Sequence, residues 1–176
     1  MNWVMGYITD LSEEEYAAVY AKLSVSRKAH IDRIKPTDAR KRSLLATHLL
    51  SGLLQAGVLL ETDSDGKPFL SGSDLHVSIS HSAEAVVCAV STDHVGIDIE
   101  KIRPVERKLV EYVCTERERA YVLKQDEGCD ERFFEVWTAK EASYKHDGGA
   151  IPLRAIDTMT LQKQCFVTEG YCITVI

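Results

Sequence analysis

The sequence predicts an α+β fold built on a largely antiparallel sheet. Helical and strand-like segments follow one another without the regular strand–helix–strand order of a parallel sheet. Residues 75–80 and 85–90 have strand character and flank a short connection, which is the arrangement of a hairpin. In residues 95–100, Ile97 and Ile99 point one way and Asp98 and Glu100 the other, as in a half-buried strand.

The N-terminal third begins with a strand predicted over residues 3–8. Asp10 or Ser12 can cap a helix that runs to about residue 23, because short oxygen side chains accept the free N–H groups of a first turn. Ser12-Glu13-Glu14-Glu15 also has the spacing of a capping box. A second helix is predicted over residues 38–58, with one buried stripe formed by Leu45, Leu49, Gly52, Leu53 and Ala56.

The rest of the chain alternates loops and helices. Asp65-Gly66 marks a turn-rich loop over residues 62–68. One or two helices are predicted over residues 105–124, and a strong helix over 131–146 ends at Gly148-Gly149. The tail is expected to hold two short strands, at residues 158–161 and 170–176.

Composition limits the class of protein. The chain has 176 residues, 45% of them hydrophobic and 27% charged, which suits one domain or two small ones and argues against disorder. A net charge of −6 argues against a nucleic-acid-binding protein that is basic overall. The sequence has neither an apolar run of about 20 residues nor a signal-peptide pattern. We therefore expect a cytoplasmic protein that binds neither nucleic acid nor membrane.

The cysteines support the same location. There are five of them, an odd number, and no two form a CxxC pair. We interpret them as reduced cytosolic thiols and not as a disulfide framework or zinc site.

Asp98-x-Glu100 places two carboxylates on one face of a strand. Such a pair suits a hard cation such as Mg²⁺, which prefers oxygen ligands and often shares them with substrate phosphates. A solvated strand face is the alternative interpretation, since short acidic pairs are common.

Trp137-Thr138-Ala139-Lys140-Glu141-Ala142-Ser143-Tyr144-Lys145 lies on the strong helix. Glu141 and Lys145 share one face and could form a plain surface ion pair. Alternatively, Glu141 completes a three-carboxylate metal site while Lys140 and Lys145 reach phosphate oxygens, which neutralises charge during phosphoryl transfer.

Ser78-Ile79-Ser80-His81-Ser82 ends a strand in a hydroxyl-rich turn. His81 could donate to an anion there, although a lone histidine is more often structural. A hydrolase triad is poorly supported, because the chain has no G-x-S-x-G elbow.

Together these motifs resemble the signature of the 4′-phosphopantetheinyl transferases. Gly96-Ile97-Asp98-Ile99-Glu100 and the Trp137–Lys145 segment are separated by roughly forty residues, as in that family. Gly66-Lys67-Pro68 and Ser78-Ile79-Ser80-His81-Ser82 resemble the additional motifs of its Sfp-type branch. Four motifs in one order across residues 66–145 are a specific signal, whereas the tail after Pro152 carries none.

The resemblance implies a fold and a reaction. The fold is α+β, with two similar halves about a pseudo-twofold axis and the active site between them; here they would be residues 1–93 and 94–176. The reaction moves the phosphopantetheine arm of coenzyme A onto a serine of an apo carrier protein and releases adenosine 3′,5′-bisphosphate. Unlike the small trimeric members, this chain would carry the whole site in one subunit and act as a monomer.

The resemblance also implies roles for individual residues. The ligands of Mg²⁺, with Mn²⁺ as an alternative, would be Asp98, Glu100 and Glu141. Glu141 would accept the serine proton directly or through a metal-bound water, because a hydroxyl is a poor nucleophile until a base accepts its proton. Lys140 and Lys145 would hold the pyrophosphate, and His81 the 3′-phosphate. Lys67 and Ser80 would lie near the adenine or its phosphate. The N-terminal basic stretch would assist through Arg27, Lys28, Arg40, Arg42 and Ser43, unless it is only a solvated helix face.

The expected partner is a carrier domain whose serine begins an acidic helix. A basic patch could attract that helix by complementary charge; it consists of Lys101, Arg103, Arg107 and Lys108. Three alternatives remain open: a non-catalytic module that binds coenzyme A or a nucleotide, a metal-dependent phosphohydrolase or nuclease, and a purely structural domain.

Overall fold

The computed structural model describes residues 1–64 and 66–176, so Asp65 of the predicted turn lies outside the described residues. The chain divides into two compact units, Met1–His94 and Val95–Ile176. Each unit combines helices with strands, and the strand pairs found among the described residues are antiparallel. The predicted α+β class with antiparallel sheet is thereby confirmed.

The first unit packs one long helix on a three-stranded sheet. Its elements are β1 (Asn2–Tyr7), α1 (Glu13–Ala21), α2 (Val25–Arg33), α3 (Thr37–Ser51), β2 (Leu59–Thr62), β3 (Pro68–Ser71), β4 (His76–Ser82) and β5 (Ala85–Ser91). The sheet order is β1-β5-β4, and β2 and β3 form a separate ribbon. Leu45 and Leu50 of α3 join Val86 and Cys88 of β5 in the core.

Two local predictions in this unit are confirmed. Ser12 caps α1, and Glu15 completes the capping box by accepting from the Ser12 backbone. β4 and β5 form the predicted hairpin, with Ser82 opposite Ala85.

The second predicted helix has different boundaries. α3 ends at Ser51 with Gly52 as its C-cap, and Gly57 adopts a φ of 94°, which an α-helix does not allow. Leu59–Thr62 then pairs with Pro68–Ser71. The basic stretch before α3 forms a helix of its own, α2, because the Ser24 hydroxyl caps it.

The second unit repeats the arrangement of one long helix on a three-stranded sheet. Its elements are β6 (Ile97–Lys101), α4 (Arg107–Val113), α5 (Glu116–Val122), α6 (Cys129–His146), β7 (Gln164–Thr168) and β8 (Tyr171–Val175). The sheet order is β6-β8-β7. In both three-stranded sheets the first strand in sequence lies at one edge, the last strand lies in the centre, and the remaining strand lies at the other edge.

The close approach of β6 to α6 depends on Gly96. A Cβ atom at this position would lie 1.9 Å from the carbonyl oxygen of Ala142. Glycine therefore allows the strand that carries Asp98 to lie directly against the helix that carries Glu141.

One strand of the predicted tail is wrong. Thr158–Thr160 forms a 3₁₀ turn because the Asp157 carboxylate accepts from the Met159 backbone and the Thr160 hydroxyl donates to the Asp157 carbonyl. Such local side-chain bonds compete with sheet pairing. The strand begins later, at Gln164. None of the helices described is long and apolar enough to cross a bilayer.

Candidate active site

Asp98 and Lys145 connect the two motif-bearing elements of the second unit. The Lys145 Nζ atom lies 2.7 Å from Asp98 Oδ1 and donates to the Ile97 carbonyl at 3.1 Å. Asp98 is buried, and Glu100 follows two residues later on the same face of β6. The structure thus brings Asp98 together with the Glu141–Lys145 face of α6.

Glu141 lies one helical turn before Lys145 and is electrostatically coupled to both β6 carboxylates. Burial raises its pKa above the ordinary value, Asp98 raises it further, Lys145 lowers it, and Glu100 adds a smaller upward contribution. Like charges that interact in this way destabilise one another's ionised forms. A cation placed among the three carboxylates would relieve that repulsion.

These three residues offer the donor chemistry that Mg²⁺ prefers. Among residues 1–64 and 66–176, no three His, Cys, Asp or Glu side chains form a preassembled metal cage. Mg²⁺ commonly binds through one or two carboxylates plus substrate phosphates, and it keeps several waters. The donor set therefore fits a metal that arrives with a phosphate ligand, and the assignment of Asp98, Glu100 and Glu141 stays a prediction.

Lys140 requires a correction. The sequence predicts a pyrophosphate contact, but the structure buries the Lys140 side chain completely. Its Nζ atom lies 2.8 Å from Glu118 Oε2 and donates to the Leu153 and Ile156 carbonyls. With its ammonium group enclosed by these acceptors, Lys140 ties α6 to α5 and to the Leu153–Ala155 turn and does not reach solvent.

A basic cavity lies within the first unit. It measures about 270 Å³ and is bounded by α2, α3, β4 and the segment around the β2–β3 turn. Its lining includes the predicted residues Arg27, Arg42, Ser43 and His81, together with His30, which was not among the predicted site residues. His81 reaches it because it lies on the same face of β4 as Ile79.

Arg27 is the buried anchor of this cavity. The side chain is 5% exposed, and it donates to Thr62 Oγ1 at 2.7 Å and Ser43 Oγ at 2.9 Å. Burial lowers its pKa, and Glu61 partly opposes that effect. Its Nε–H meets no acceptor among the described residues.

Arg42 lies in the lining of the same cavity. Its Nη1 donates to the Ala83 carbonyl at 2.9 Å, while its buried Nε has no acceptor in the part of the chain that the structure describes. Two guanidinium groups in the lining of one cavity favour an anionic ligand, because charge-assisted hydrogen bonds to an anion are stronger than neutral ones.

Three other predicted residues are not part of this cavity. The Lys28 ammonium donates to the Ala21 carbonyl at 2.9 Å and lies over the Tyr20 ring, so it is directed elsewhere. Ser80 is buried on the face of β4 opposite His81. Lys67 is exposed, and only its neighbours Gly66 and Pro68 line the cavity. The cavity therefore does not support the predicted contacts of Lys28, Ser80 and Lys67.

Sequence reasoning missed Glu118 as a partner of the motif helix. It accepts from the Thr158 backbone and hydroxyl at 2.8 Å each, in addition to its pair with Lys140. The only local signal was the Thr115-x-x-Glu118 capping-box spacing, which predicts a helix start and not an ion pair.

Comparison with known proteins gives a consistent result. A family model described as the 4′-phosphopantetheinyl transferase superfamily matches residues 94–168. That segment contains β6, α6 and every predicted metal ligand.

Three relatives carry the same description in their names. The chain is 40% identical over 92 residues to the 4′-phosphopantetheinyl transferase gsp of Aneurinibacillus migulanus, covering 52% of this chain and 38% of the relative. It is 27% identical over 154 residues to Sfp of Bacillus subtilis strain 168, covering 81% and 68%. It is 31% identical over 138 residues to psf-1 of Bacillus pumilus, covering 73% and 59%. The chain thus spans between about two fifths and two thirds of the length of these relatives.

Proposed function

Because this chain is similar to members of the 4′-phosphopantetheinyl transferase superfamily, we propose that it transfers phosphopantetheine from coenzyme A to a serine of an apo carrier protein. The observation that carries the proposal is the 2.7 Å contact between Asp98 and Lys145. This contact joins the Gly-Ile-Asp strand to the Trp-Thr-Ala-Lys-Glu helix, so both family motifs contribute to one cluster.

In this proposal, Asp98, Glu100 and Glu141 hold Mg²⁺, and Mn²⁺ is the alternative. When bound, the metal would neutralise charge on the pyrophosphate. Lys145 would exchange its contact with Asp98 for a pyrophosphate oxygen, since its ammonium is already at the edge of the carboxylate cluster. Lys140 has a different task and keeps α6 in position through Glu118.

Glu141 is the proposed base. The carrier serine oxygen would form a bond to the phosphorus that bears the pantetheine arm, and the bond from that phosphorus to the bridging oxygen would break. Glu141 would accept the serine proton, and adenosine 3′,5′-bisphosphate would leave. Glu141 suits this role because its carboxylate lies in one electrostatic cluster with Asp98 and Glu100, and a general base must be within reach of the proton that it accepts.

The basic cavity of the first unit supports the binding of coenzyme A. We assign the 3′-phosphate to Arg42 and His81, with Ser43 and the buried Arg27 behind them. The two guanidinium groups in the cavity lining support this assignment. Lys67 remains the least supported of these contacts, because its side chain does not line the cavity.

The two units share one strand order within their sheets. That similarity supports, as part of the proposal, the pseudo-twofold relation between halves that the family resemblance implies. A monomeric state and a cytoplasmic location also belong to the proposal.

The carrier would meet the surface around α4. Lys101, Arg107 and Lys108 are exposed there, and Leu109 and Tyr112 add exposed apolar area. Arg103 is less suited to a simple charge test, because its Nη1 lies 3.7 Å from Glu100, a proposed metal ligand. Reversal of Arg107 and Lys108 to glutamate should raise the KM for the carrier and leave coenzyme A binding unchanged. An unchanged carrier KM would place the docking surface elsewhere.

The decisive experiment is intact-mass spectrometry of a panel of apo carrier proteins. Each is incubated with the full chain, coenzyme A and Mg²⁺, beside an Asp98→Ala variant. Glu127→Gln is the matched control, since it removes an exposed carboxylate that precedes α6 and lies outside both α4 and the carboxylate cluster. A gain of one phosphopantetheine with the wild type and the control, but not with Asp98→Ala, is expected.

Other results would redirect the assignment. Coenzyme A binding without transfer to any carrier would favour the non-catalytic binding module. Phosphate release without a carrier would favour a phosphohydrolase.

A further inference from the structure

Two cysteine thiols face each other at the outer edge of the second sheet. Cys165 lies on the edge strand β7 and is exposed, whereas Cys172 lies on the central strand β8 and is buried. Cys165 pairs with Thr174 and Val167 with Cys172, so the two cysteines are diagonal neighbours on one face. Their sulfur atoms are 3.6 Å apart.

The environment favours reaction at Cys165. Its thiol borders a cavity of about 290 Å³, which admits a small oxidant and is also lined by Lys163 and Glu135. The hydrogen bond from Cys172 lowers the pKa of Cys165; burial opposes it, Thr174 and Lys163 assist, and Glu135 opposes. The reactive form of a cysteine is the thiolate, so Cys165 is the attacking group and Cys172 the resolving one.

We propose that Cys165 and Cys172 form a reversible disulfide when the protein meets a hydroperoxide. The Cys165 thiolate attacks one peroxide oxygen, the O–O bond breaks, and a sulfenic acid and hydroxide form. The Cys172 sulfur then attacks the Cys165 sulfur, and the hydroxyl group leaves with a proton as water. In sum, two thiols and one hydrogen peroxide give one disulfide and two waters.

The second step requires only a small movement of the two sulfur atoms. A disulfide bond is about 2.0 Å long, so the two sulfur atoms must approach by roughly 1.6 Å. Cys88 and Cys114 are buried, like Cys172. Burial raises the pKa of the Cys88 thiol and of the Cys114 thiol to about 12. Those two thiols therefore compete poorly with Cys165 for the oxidant.

The disulfide would change a packing contact of α6, the helix that carries the Trp137–Lys145 segment. The Cys172 sulfur lies 3.5 Å from the Thr138 hydroxyl on α6, and Cys172 is directly opposite Glu100 on β6. Bonding to Cys165 draws that sulfur toward β7 and away from Thr138, which lies one turn before Glu141. This consequence rests on the proposed function. Oxidation should abolish transfer activity, and a dithiol reductant should restore it.

The test begins with chemistry alone. The full chain is exposed to a small excess of hydrogen peroxide at neutral pH, unfolded, alkylated and measured by intact and peptide mass. We expect a loss of two alkylated thiols, a mass deficit of two hydrogen atoms, and a bridged peptide that contains Cys165 and Cys172. Five alkylated thiols after exposure, or a bridge between other cysteines, would overturn the proposal.

Matched variants assign the roles. Cys172→Ser should stop at a sulfenic acid that a carbon-acid reagent traps at Cys165, and Cys165→Ser should form no bridge. Cys129→Ser, which removes another partly accessible thiol, should oxidise like the wild type. A bridge that persists in Cys165→Ser at an unchanged yield would contradict the assignment.

Activity is measured separately on the reduced and bridged forms. Transfer that is lost in the bridged wild type, restored by dithiol, and retained by Cys165→Ser in oxidant supports the link to α6. Equal transfer by both forms overturns that link. If the reduced protein transfers nothing, the proposed function fails, and the mass result still decides the thiol pair.

Discussion

Lys140 and Glu118 form an ion pair in which both side chains are fully buried, with 2.8 Å between Nζ and Oε2. Glu118 also accepts from the Thr158 backbone, and Lys140 also donates to the Ile156 carbonyl. A buried pair with satisfied neighbours fixes geometry, and loss of one partner leaves an uncompensated charge. The residue before the proposed base is therefore held by a contact that the motif itself does not reveal.

Substitution of Lys140 should destabilise the fold strongly. Lys140→Met leaves the Glu118 carboxylate buried without its cation, so we expect a loss of about 3–5 kcal/mol in the free energy of unfolding. Urea titration followed by circular dichroism measures it. Adding Glu118→Gln removes the stranded charge and should recover part of the loss.

The control is Arg107→Met, which breaks the exposed pair with Glu111 at 3.2 Å. Exposed pairs contribute little, so its unfolding midpoint should stay near that of the wild type. Equal effects of Lys140→Met and Arg107→Met would contradict the importance of the buried pair.

Acid should weaken the same contact. Burial raises the pKa of Glu118, but the bonds from Lys140, Thr158 and Thr115 outweigh it, and the net pKa is below the ordinary value of 4.5. The unfolded chain therefore binds the proton first, and the stability present at neutral pH is lost as the pH falls through 4.5 toward the folded pKa. Urea midpoints measured from pH 7 to pH 3 should fall less steeply in the Lys140→Met/Glu118→Gln variant than in the wild type.

The Lys140 pair also shows where sequence reasoning reaches its limit. Periodicity and capping signals predicted α6 and the β4–β5 hairpin, because those patterns are local. The amphipathic pattern of α6 does not predict that Lys140 is buried. Its ammonium can be buried because Glu118, on a different helix, pairs with it. The partner lies 22 positions earlier in the sequence and has no fixed spacing to the motif.

The basic cavity shows the same limit of prediction from sequence. Arg27 and Lys28 are adjacent in the sequence, and both are plausible phosphate ligands. On a helix, adjacent residues face different directions, so one lines the cavity and the other contacts Ala21. Because α2 was not among the predicted elements, no helix face was available to separate the two residues.

Gly96→Ala should disrupt the approach of β6 to α6. The added methyl would overlap the Ala142 carbonyl oxygen at 1.9 Å, and a helix backbone cannot yield as a side-chain tip does. Overpacking of this kind costs about 1–3 kcal/mol or more. Thermal unfolding measures the loss. Gly52→Ala, whose new methyl would meet its nearest neighbour at 3.4 Å, should change stability little, and a similar loss in both variants would argue against the close approach as the cause.

Lys145 should affect metal and coenzyme A binding in opposite directions. Its ammonium occupies Asp98 Oδ1, so it competes with a cation for that oxygen. Lys145→Met should therefore bind Mg²⁺ alone more tightly than the wild type, while coenzyme A binds more weakly because a pyrophosphate contact is lost. Isothermal titration calorimetry measures both. Lys124→Met removes an exposed positive charge from the same unit and should change neither. Weaker Mg²⁺ binding by Lys145→Met would show that the ammonium supports the carboxylate cluster and does not compete for it.

Arg42 and Lys28 provide the sharpest test of the phosphate cavity. Arg42→Gln removes a guanidinium that lines the cavity, so affinity for adenosine 3′,5′-bisphosphate should fall by about ten- to a hundredfold. Affinity for adenosine 5′-phosphate, which lacks the 3′-phosphate, should fall much less. Lys28→Gln removes the same charge from the same basic stretch, but its ammonium is bound to the Ala21 carbonyl, so neither affinity should change. Equal losses in the two variants would mean that the stretch acts only through its overall charge, and equal losses for the two nucleotides would move the 3′-phosphate away from Arg42.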